Sequence, residues 1–302
     1  MNASAAKSVT LYEVGPRDGL QNEKQAVPPE VKIEYINRLA RTGLRFIEAT
    51  SFVKPGAIPQ LQDAAEVMSG IERPDSVNFV ALVPNQRGMQ AAIDAGLRTI
   101  AVFTAASDAF TQKNINCTVA ESLARFADVF ALAREHSIRV RAYVSTVVEC
   151  PYAGRIDPGA VLQVSQKLLD MGAYEISLGE TIGVAVPDDI ARLLDALLSD
   201  IPADKLAGHY HDTRGTALAN VMRSLEYGLR TFDASSAGLG GCPYAPGAAG
   251  NVATEDLVYA LERSGYETGV NLVALAEASR YILENMQRAS VSRVYATIPQ
   301  QN

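Results

Sequence analysis

Short apolar runs alternate along the chain with longer segments whose apolar residues recur at helical spacing. Eight runs carry the β-type pattern: 9–15, 45–52, 77–83, 99–106, 140–148, 174–183, 206–212 and 231–239. The segments between them, such as 29–42, 119–136 and 187–200, place apolar residues three and four positions apart, which predicts amphipathic helices. The pattern therefore predicts eight units, each a strand followed by a helix.

Proline and glycine mark the ends of the predicted helices. Proline is favoured in the first turn of a helix, and glycine just after its last turn. Prolines stand at three predicted starts and glycines at four predicted ends: Pro29, Pro158, Pro187, Gly43, Gly96, Gly172 and Gly228.

Regular β-then-α alternation places the chain in the α/β class with a parallel sheet. Eight units with no linker or composition break favour one closed (β/α)8 barrel (TIM barrel) domain over residues 1–302, with a C-terminal helical extension. The alternative is an open doubly wound sheet, which favours G-x-G-x-x-G after its first strand. Residues 13–23 read EVGPRDGLQNE at that place and do not match.

Composition narrows the function classes. The chain has 302 residues, 48% of them hydrophobic, and a net charge of −7, so it lacks the basic face that nucleic acid requires. No run approaches the ~18 apolar residues of a membrane span. Cys117, Cys150 and Cys242 form no disulfide framework, and the N-terminus carries no secretion or transit pattern. We expect a cytoplasmic protein without nucleic-acid or membrane partners.

Polar residues that are unusual in buried strands concentrate where the predicted strands end. In a barrel the carboxyl ends of all strands form one face, and barrel enzymes carry their active sites there. The residues are Arg17, Asp18, Glu48, Ser51, Ser177, Glu180, His209, His211 and Asp233.

His209 and His211 stand two apart on one predicted strand, so both imidazoles project from the same face. Such a pair is half of a metal site, or else two hydrogen-bonded histidines without a metal. Asp18 ends the first strand and Asn251 closes the loop after the eighth, so barrel closure makes them neighbours. A mixed nitrogen and oxygen set of this kind favours Mg²⁺ or Mn²⁺ over a structural zinc. For Asn251, a turn or capping role before the next helix remains open as well.

Arg17 adjoins Asp18 and would place a fixed cation beside the predicted metal, where it could stabilise a developing oxyanion. A salt bridge to Glu48 or Glu13 is the alternative, and both roles are compatible.

The segment 237–251, AGLGGCPYAPGAAGN, surrounds Cys242 with glycine and proline directly after the last predicted strand. It predicts a mobile loop that holds a thiol over the barrel mouth. A phosphate-binding loop would end in G-K-[ST], which is absent here. An ordinary turn with a passive cysteine is also compatible with this composition.

Six motifs together resemble the 3-hydroxy-3-methylglutaryl-CoA lyase family over residues 9–285. They are EVGPRDGLQNEK (13–24), IEATSFV (47–53), KNINC (113–117), EISLGETIG (175–183), HYHDTRG (209–215) and the stretch from 237 to 259. The arginine–aspartate pair, the glutamate of strand two and the H-x-H also mark a wider superfamily of metal-dependent lyases and Claisen synthases.

The resemblance implies cleavage of a 3-hydroxyacyl-CoA into acetyl-CoA and acetoacetate with a divalent cation, Mg²⁺ or Mn²⁺. It assigns metal binding to Asp18, His209, His211 and Asn251, and catalytic roles to Arg17, Cys242, Glu48 and Glu180. Substrate contacts would come from Arg17, Gln21, Ser51, Ser177 and Thr181, and weaker CoA contacts from Lys24 and Lys113. We also expect a homo-oligomer, in the simplest case a dimer.

Three positions depart from the family pattern. Glu180 stands where the family usually has aspartate, Glu149 where relatives carry a small residue, and Arg214 where an aromatic residue is frequent. These departures leave open a lyase acting on a different 3-hydroxyacyl-CoA. Two further functions stay open at this point: a condensing synthase, and a non-catalytic barrel that binds metal or acyl-CoA.

Overall fold

The computed structural model of the protein describes residues 7–23, 25–54, 56, 58–242 and 245–299, with the side chains of 242–249 outside the description. Eight parallel strands form the barrel: β1 Thr10–Glu13, β2 Phe46–Ser51, β3 Asn78–Leu82, β4 Thr99–Ala105, β5 Arg139–Ser145, β8 Ala173–Glu180, β9 Leu206–Tyr210 and β10 Thr231–Ala234. They close in the order β1-β10-β9-β8-β5-β4-β3-β2. The predicted closed barrel is confirmed.

Helices follow every barrel strand and cover the outside of the barrel. They are α1 Pro29–Ala40, α2 Ala64–Gly70, α3 Gln86–Asp94, α4 Asp108–Ile115, α5 Val119–Glu135, α6 Pro158–Met171, α7 Pro187–Leu197, α8 Ala217–Glu226, α9 Thr254–Arg263 and α10 Leu272–Met286. The last of these, α10, is the predicted C-terminal extension and packs against α1. None of the helices in the described ranges combines the length and apolar character needed to cross a bilayer.

The predicted helix ends are also confirmed. Proline occupies the first turn of α1, α6 and α7. The four glycines after the predicted helices all have a positive φ, which glycine adopts without the steric cost of a Cβ. Gly172, for example, ends α6 in the left-handed conformation.

The core has two shells, because successive strand residues point to opposite faces of the barrel wall. Tyr12, Val14, Val80, Ala101 and Tyr143 form a small cluster inside the barrel. A much larger cluster fills the space between strands and helices, where each buried Leu, Ile or Val contributes roughly 1.5–3 kcal/mol. The outer shell thus supplies most of the stability, and the barrel interior is free to carry polar groups.

The predicted strands all run past the observed carboxyl ends, three of them by three residues or more. The fifth stops at Ser145 because Thr146 has a φ of 57°, outside the β region. The sixth stops at Glu180, and the eighth stops at Ala234 and enters a 3₁₀ turn over Ser236–Gly238. Two short hairpins then project from this face: β6 Glu149–Cys150 with β7 Gly154–Arg155, and β11 Gly241–Cys242 with β12 Ala245–Ala249.

Candidate active site

A single π-helical turn over Gly15–Gly19, directly after β1, carries Arg17 and Asp18. The carbonyl of Val14 accepts the backbone N–H of Arg17 at 3.1 Å, of Asp18 at 2.7 Å and of Gly19 at 3.1 Å. A Cβ at Gly19 would lie 2.7 Å from Ser235 Oγ, so only glycine lets the turn approach the residue after β10 this closely. The turn thereby aims both charged side chains at the barrel mouth.

His209 and His211 face each other at the end of β9, as their spacing predicted. Their Nε2 atoms lie 3.3 Å apart. One potential ligand atom from each histidine and one carboxylate oxygen of Asp18 all lie within 4.8 Å of one another. Barrel closure has brought the end of β1, the first strand, close to the end of β9, the seventh, with β10 between them.

The donor set fits a divalent cation. Burial first, and then the neighbouring His209, lower the pKa of His211 to about 4, so its imidazole is neutral near pH 7 and offers a lone pair. Burial alone would raise the pKa of Asp18, but the charges of Arg17 and the histidines hold it well below its usual range. The cluster therefore combines an ionised carboxylate with a neutral imidazole, and the buried Nδ1 of His211 has no hydrogen-bond partner among the described residues.

Asn251 adjoins the cluster, where the sequence predicted it. It forms a β-bridge with His211. Its Nδ2 donates to Asp18 Oδ2 at 2.9 Å and to the carbonyl of Leu239 at 3.2 Å. The side chain therefore fixes the Asp18 carboxylate, and its role as a metal ligand stays a prediction.

Arg17 is buried and bridges two carboxylates. It donates to Asp18 Oδ1 at 2.6 Å and to Glu48 Oε2 at 3.0 Å. Of the two predicted salt-bridge partners, Glu48 is the one in contact. Glu13 lies on the outer face of β1 and accepts from Gly15 N, Ser236 N and Thr254 Oγ1 instead.

Two interior residues of the site were missed at the sequence level. Arg141 and Tyr143 lie two residues apart on β5, so both side chains point into the barrel. There Tyr143 donates to Glu48 Oε2 at 2.7 Å. Arg141 forms a paired salt bridge with Asp233. The same two-residue spacing that identified the histidines would have found them, but they lie in the middle of a strand rather than at its end.

The predicted substrate-contacting residues have mixed surroundings. Ser177 Oγ donates to Asp233 Oδ2 at 2.8 Å, and Ser51 Oγ donates to the carbonyl of Leu82 at 3.2 Å. Thr181 Oγ1 accepts the backbone N–H of Thr146 at 2.9 Å. Gln21 is partly exposed just beyond the π-helical turn. Their substrate contacts remain predictions.

Glu180 contacts the loop that follows β8 instead of the metal cluster. Its Oε1 accepts the backbone N–H of Val184 at 3.1 Å, and Gly183 and Ala185 also stabilise its charge through their backbone N–H groups. Burial is the larger effect and raises the pKa of Glu180 to about 7. Arg214 stabilises the same loop by donating to the carbonyls of Ile182 and Gly183.

The remaining predicted residues lie at the rim of the barrel or outside the described part of the chain. Cys242 belongs to the backbone of β11 after the last barrel strand, but its side chain lies outside the description, as does Lys24 entirely. Lys113 is exposed near the end of α4, and Glu149 is half-buried on β6. Cys117 and Cys150 are buried free thiols.

Comparison with known proteins identifies the family. The family model described as HMGL-like matches residues 8–282. This chain belongs to the HMGL-like family. Among its relatives, the mitochondrial hydroxymethylglutaryl-CoA lyase of Bos taurus is 52% identical, over 95% of this chain and 89% of the relative. The 3-hydroxy-3-isohexenylglutaryl-CoA/hydroxy-methylglutaryl-CoA lyase of Pseudomonas aeruginosa is 49% identical, over 95% and 96%.

Solved HMGL-like structures have the same fold. Hydroxymethylglutaryl-CoA lyase from Pseudomonas aeruginosa superposes with a TM-score of 0.94 at 48% identity, covering 96% of this chain and 97% of the other. An HMG-CoA lyase from Acinetobacter baumannii, solved with coenzyme A and 3-methylmalate, gives a TM-score of 0.92 at 38% identity, covering 98% and 96%. The barrel and its mouth are thus a shared framework of the family.

Proposed function

We propose that this protein is a divalent-metal-dependent carbon–carbon lyase that cleaves 3-hydroxy-3-methylglutaryl-CoA into acetyl-CoA and acetoacetate. One observation carries the proposal: Asp18, His209 and His211 converge at the barrel mouth with the Arg17 guanidinium beside them. The family membership and the names of relatives about 50% identical support the same substrate.

The reaction separates charge in a way that matches these residues. A base takes the C3 hydroxyl proton, the electrons of that O–H bond form the ketone, and the electrons of the C2–C3 bond leave on C2 as a thioester enolate. A divalent cation held by Asp18, His209, His211 and Asn251 would lower the pKa of the substrate hydroxyl. Arg17 stabilises the enolate oxygen because its cation is already fixed in place by Asp18 and Glu48.

The cleavage ends when C2 receives a proton and becomes the methyl group of acetyl-CoA. We assign this proton transfer to Cys242, since the β11–β12 hairpin follows the last barrel strand after one short 3₁₀ turn. A loop of this kind can close over the substrate and exclude water. The resemblance assigned catalytic roles to Glu48 and Glu180. The role of Glu48 has the stronger support, because Glu48 contacts Arg17 whereas Glu180 contacts the β8–α7 loop.

The acyl group is the part of the substrate that varies among the relatives, since one of them also acts on an isohexenyl ester by its name. We propose the methylglutaryl ester as the preferred substrate, Mg²⁺ or Mn²⁺ as the cation, a cytoplasmic location and a dimer. The acyl-CoA class itself is common to all the relatives named above.

The test is an assay with purified protein, Mg²⁺ or Mn²⁺ and a panel of 3-hydroxyacyl-CoA esters. We expect acetoacetate and acetyl-CoA in equal amounts from the methylglutaryl ester, and slower cleavage of the other esters. Faster cleavage of another ester would make that ester the preferred substrate. Condensation of acetyl-CoA with a 2-oxo acid would favour a synthase. No turnover of any ester would contradict the proposal.

A further inference from the structure

Arg141 lies at the centre of a buried polar network below the site and has no part in the chemistry described above. Its side chain is fully buried on β5. The guanidinium donates to both oxygens of Asp233, from Nη2 to Oδ1 at 2.7 Å and from Nη1 to Oδ2 at 3.1 Å. Nε donates to Glu175 Oε2 at 2.6 Å, and Nη1 also reaches the hydroxyl of Tyr143 at 3.1 Å.

One branch of the network leads to the metal cluster. Asp233 Oδ2 accepts from Ser177 Oγ at 2.8 Å and lies 3.1 Å from Nδ1 of His209. A carboxylate at Nδ1 keeps the proton on that nitrogen and leaves the Nε2 lone pair for a metal ion. Nε2 of His209 is the atom that faces His211.

The second branch leads to the cation that faces the enolate. Tyr143 donates to Glu48 Oε2 at 2.7 Å, and the same oxygen accepts from Arg17 at 3.0 Å. The Arg17 guanidinium also lies 5.4 Å from the centre of the Tyr143 ring. Tyr143 therefore fixes Glu48, and Glu48 fixes Arg17.

We propose that Arg141 is a positioning residue shared by the metal cluster and by Arg17, so that one buried guanidinium helps to orient both. The inference rests on the proposed function for its second branch only. The planar fork of arginine can contact Asp233 through two nitrogens while reaching Tyr143, whereas the single ammonium of lysine cannot reproduce that geometry.

Equilibrium titration of the full-length protein with Mn²⁺ alone tests the first branch, and kcat with the methylglutaryl ester tests the second. For Arg141→Lys we expect a roughly 10–100-fold rise in the Mn²⁺ Kd and a fall in kcat of similar size, as for other partners of metal ligands. Asp233→Asn should raise the Mn²⁺ Kd. Tyr143→Phe should lower kcat and leave the Mn²⁺ Kd within about twofold of the parent.

Two controls separate positioning from general packing. Arg139→Lys makes the same change two residues earlier on β5, where the guanidinium lies 3.9 Å from the centre of the Tyr174 ring. Glu175→Gln removes the negative charge from the third partner of Arg141, on the side away from the site. We expect both to keep the parental Mn²⁺ Kd and kcat, even where Glu175→Gln lowers the melting temperature.

Parental Mn²⁺ Kd and kcat in folded Arg141→Lys would overturn the proposal, and so would equal losses in Glu175→Gln. If Arg141→Lys shows no cooperative melt, the other two variants test the proposal. A higher Mn²⁺ Kd in Asp233→Asn and a lower kcat at unchanged Mn²⁺ Kd in Tyr143→Phe would support it, and parental values in both would overturn it. A parent that binds Mn²⁺ but cleaves no ester fails the proposed function, and the Mn²⁺ Kd of the Arg141 and Asp233 variants then decides the positioning role alone.

Discussion

Arg17 shows how one residue can serve structure and chemistry together. Two of its three guanidinium nitrogens contact Asp18 and Glu48, so the salt bridge considered from the sequence is present. The same contacts immobilise the guanidinium at the barrel mouth, which is the condition for stabilising charge that develops during a reaction. A fixed cation adds most to the transition state and little to substrate binding.

Replacing Arg17 by glutamine should therefore act on kcat. We expect kcat to fall by a factor on the order of 10³ with little change in KM, as loss of a transition-state interaction does. Steady-state kinetics measure the split. A large rise in KM at unchanged kcat would instead make Arg17 an anchor for the substrate carboxylate or phosphate.

Glu180 gives a second prediction because its carboxylate binds backbone N–H groups of the β8–α7 loop. Aspartate at this position would withdraw the carboxylate by roughly 1.5 Å, about one C–C bond. We expect Glu180→Asp to lower kcat for the methylglutaryl ester by about tenfold or more, with an unchanged Mn²⁺ Kd. The exposed Glu66→Asp on α2 is the matched control. A more than tenfold gain on the methylglutaryl ester would instead show a pocket built for another acyl group.

At the level of secondary structure, the sequence predicted the eight strand–helix units but not the backbone conformation of the turn after β1. Proline and glycine signals located helix ends such as Pro29 and Gly172, because those residues restrict or extend φ locally. The π-helical turn of Gly15–Gly19 contains a proline and two glycines, but they do not predict its shape, which depends on the contact of Gly19 with Ser235 far along the chain.

That close contact makes Gly19 testable. A Cβ there would lie 2.7 Å from Ser235 Oγ and 2.9 Å from Leu239 Cβ, so Gly19→Ala must displace the turn that carries Arg17 and Asp18. We expect weaker Mn²⁺ binding and a kcat lower by about 10²-fold, because displacements near 1 Å in a catalytic site cost that much.

Gly159→Ala is the matched control for Gly19. A Cβ at Gly159 meets its neighbours at 3.5 Å, an ordinary contact, in the first turn of α6. Parental kinetics are expected for it. If Gly19→Ala also kept parental Mn²⁺ affinity and kcat, the backbone turn would not determine the position of the two charged residues.

The site residues also divide into those that the sequence predicted and those that it did not. Histidines at 209 and 211 were found because side chains alternate along strands, and closure of the barrel brought Asp18 and Asn251 to them. Arg141 stayed hidden because its partners, Glu175 and Asp233, come from strands 34 and 92 residues away in sequence. The two-residue spacing of Arg141 and Tyr143 shows that both face the barrel interior, but it does not show these contacts with other strands.

Across the whole molecule, buried carboxylates couple stability to pH. Burial raises the pKa of Glu13 to about 8 and that of Glu255 to about 7. Both carboxylates lie on the outer side of the barrel. Glu13 accepts the backbone N–H of Ser236, and Glu255 accepts that of Ala237. These contacts secure the turn that leads into the Cys242 hairpin.

The sign of the pH effect follows from proton binding. Between about pH 6.5 and 8 the carboxyl groups of the unfolded chain have released their protons, while folded Glu13 and Glu255 still bind part of theirs. Folding stability should therefore fall as pH rises from about 6.5 to 8, by at most about 1.4 kcal/mol per pH unit for each proton. Glu13→Gln should flatten this slope, and the exposed Glu66→Gln should not. Urea unfolding at several pH values measures it, and parallel slopes in all three proteins would contradict the expected coupling.

Cleavage by this protein requires, in our proposal, one divalent cation held by Asp18 and the two histidines. A Mn²⁺ titration of metal-depleted protein, with ion binding and acetoacetate formation followed in the same samples, tests that requirement. We predict that activity rises from near zero in proportion to the fraction of chains carrying bound Mn²⁺. His211→Ala should lose both signals, while His136→Ala, at the exposed end of α5, keeps them. Full activity in metal-depleted protein, or in His211→Ala, would show that cleavage does not depend on this cation.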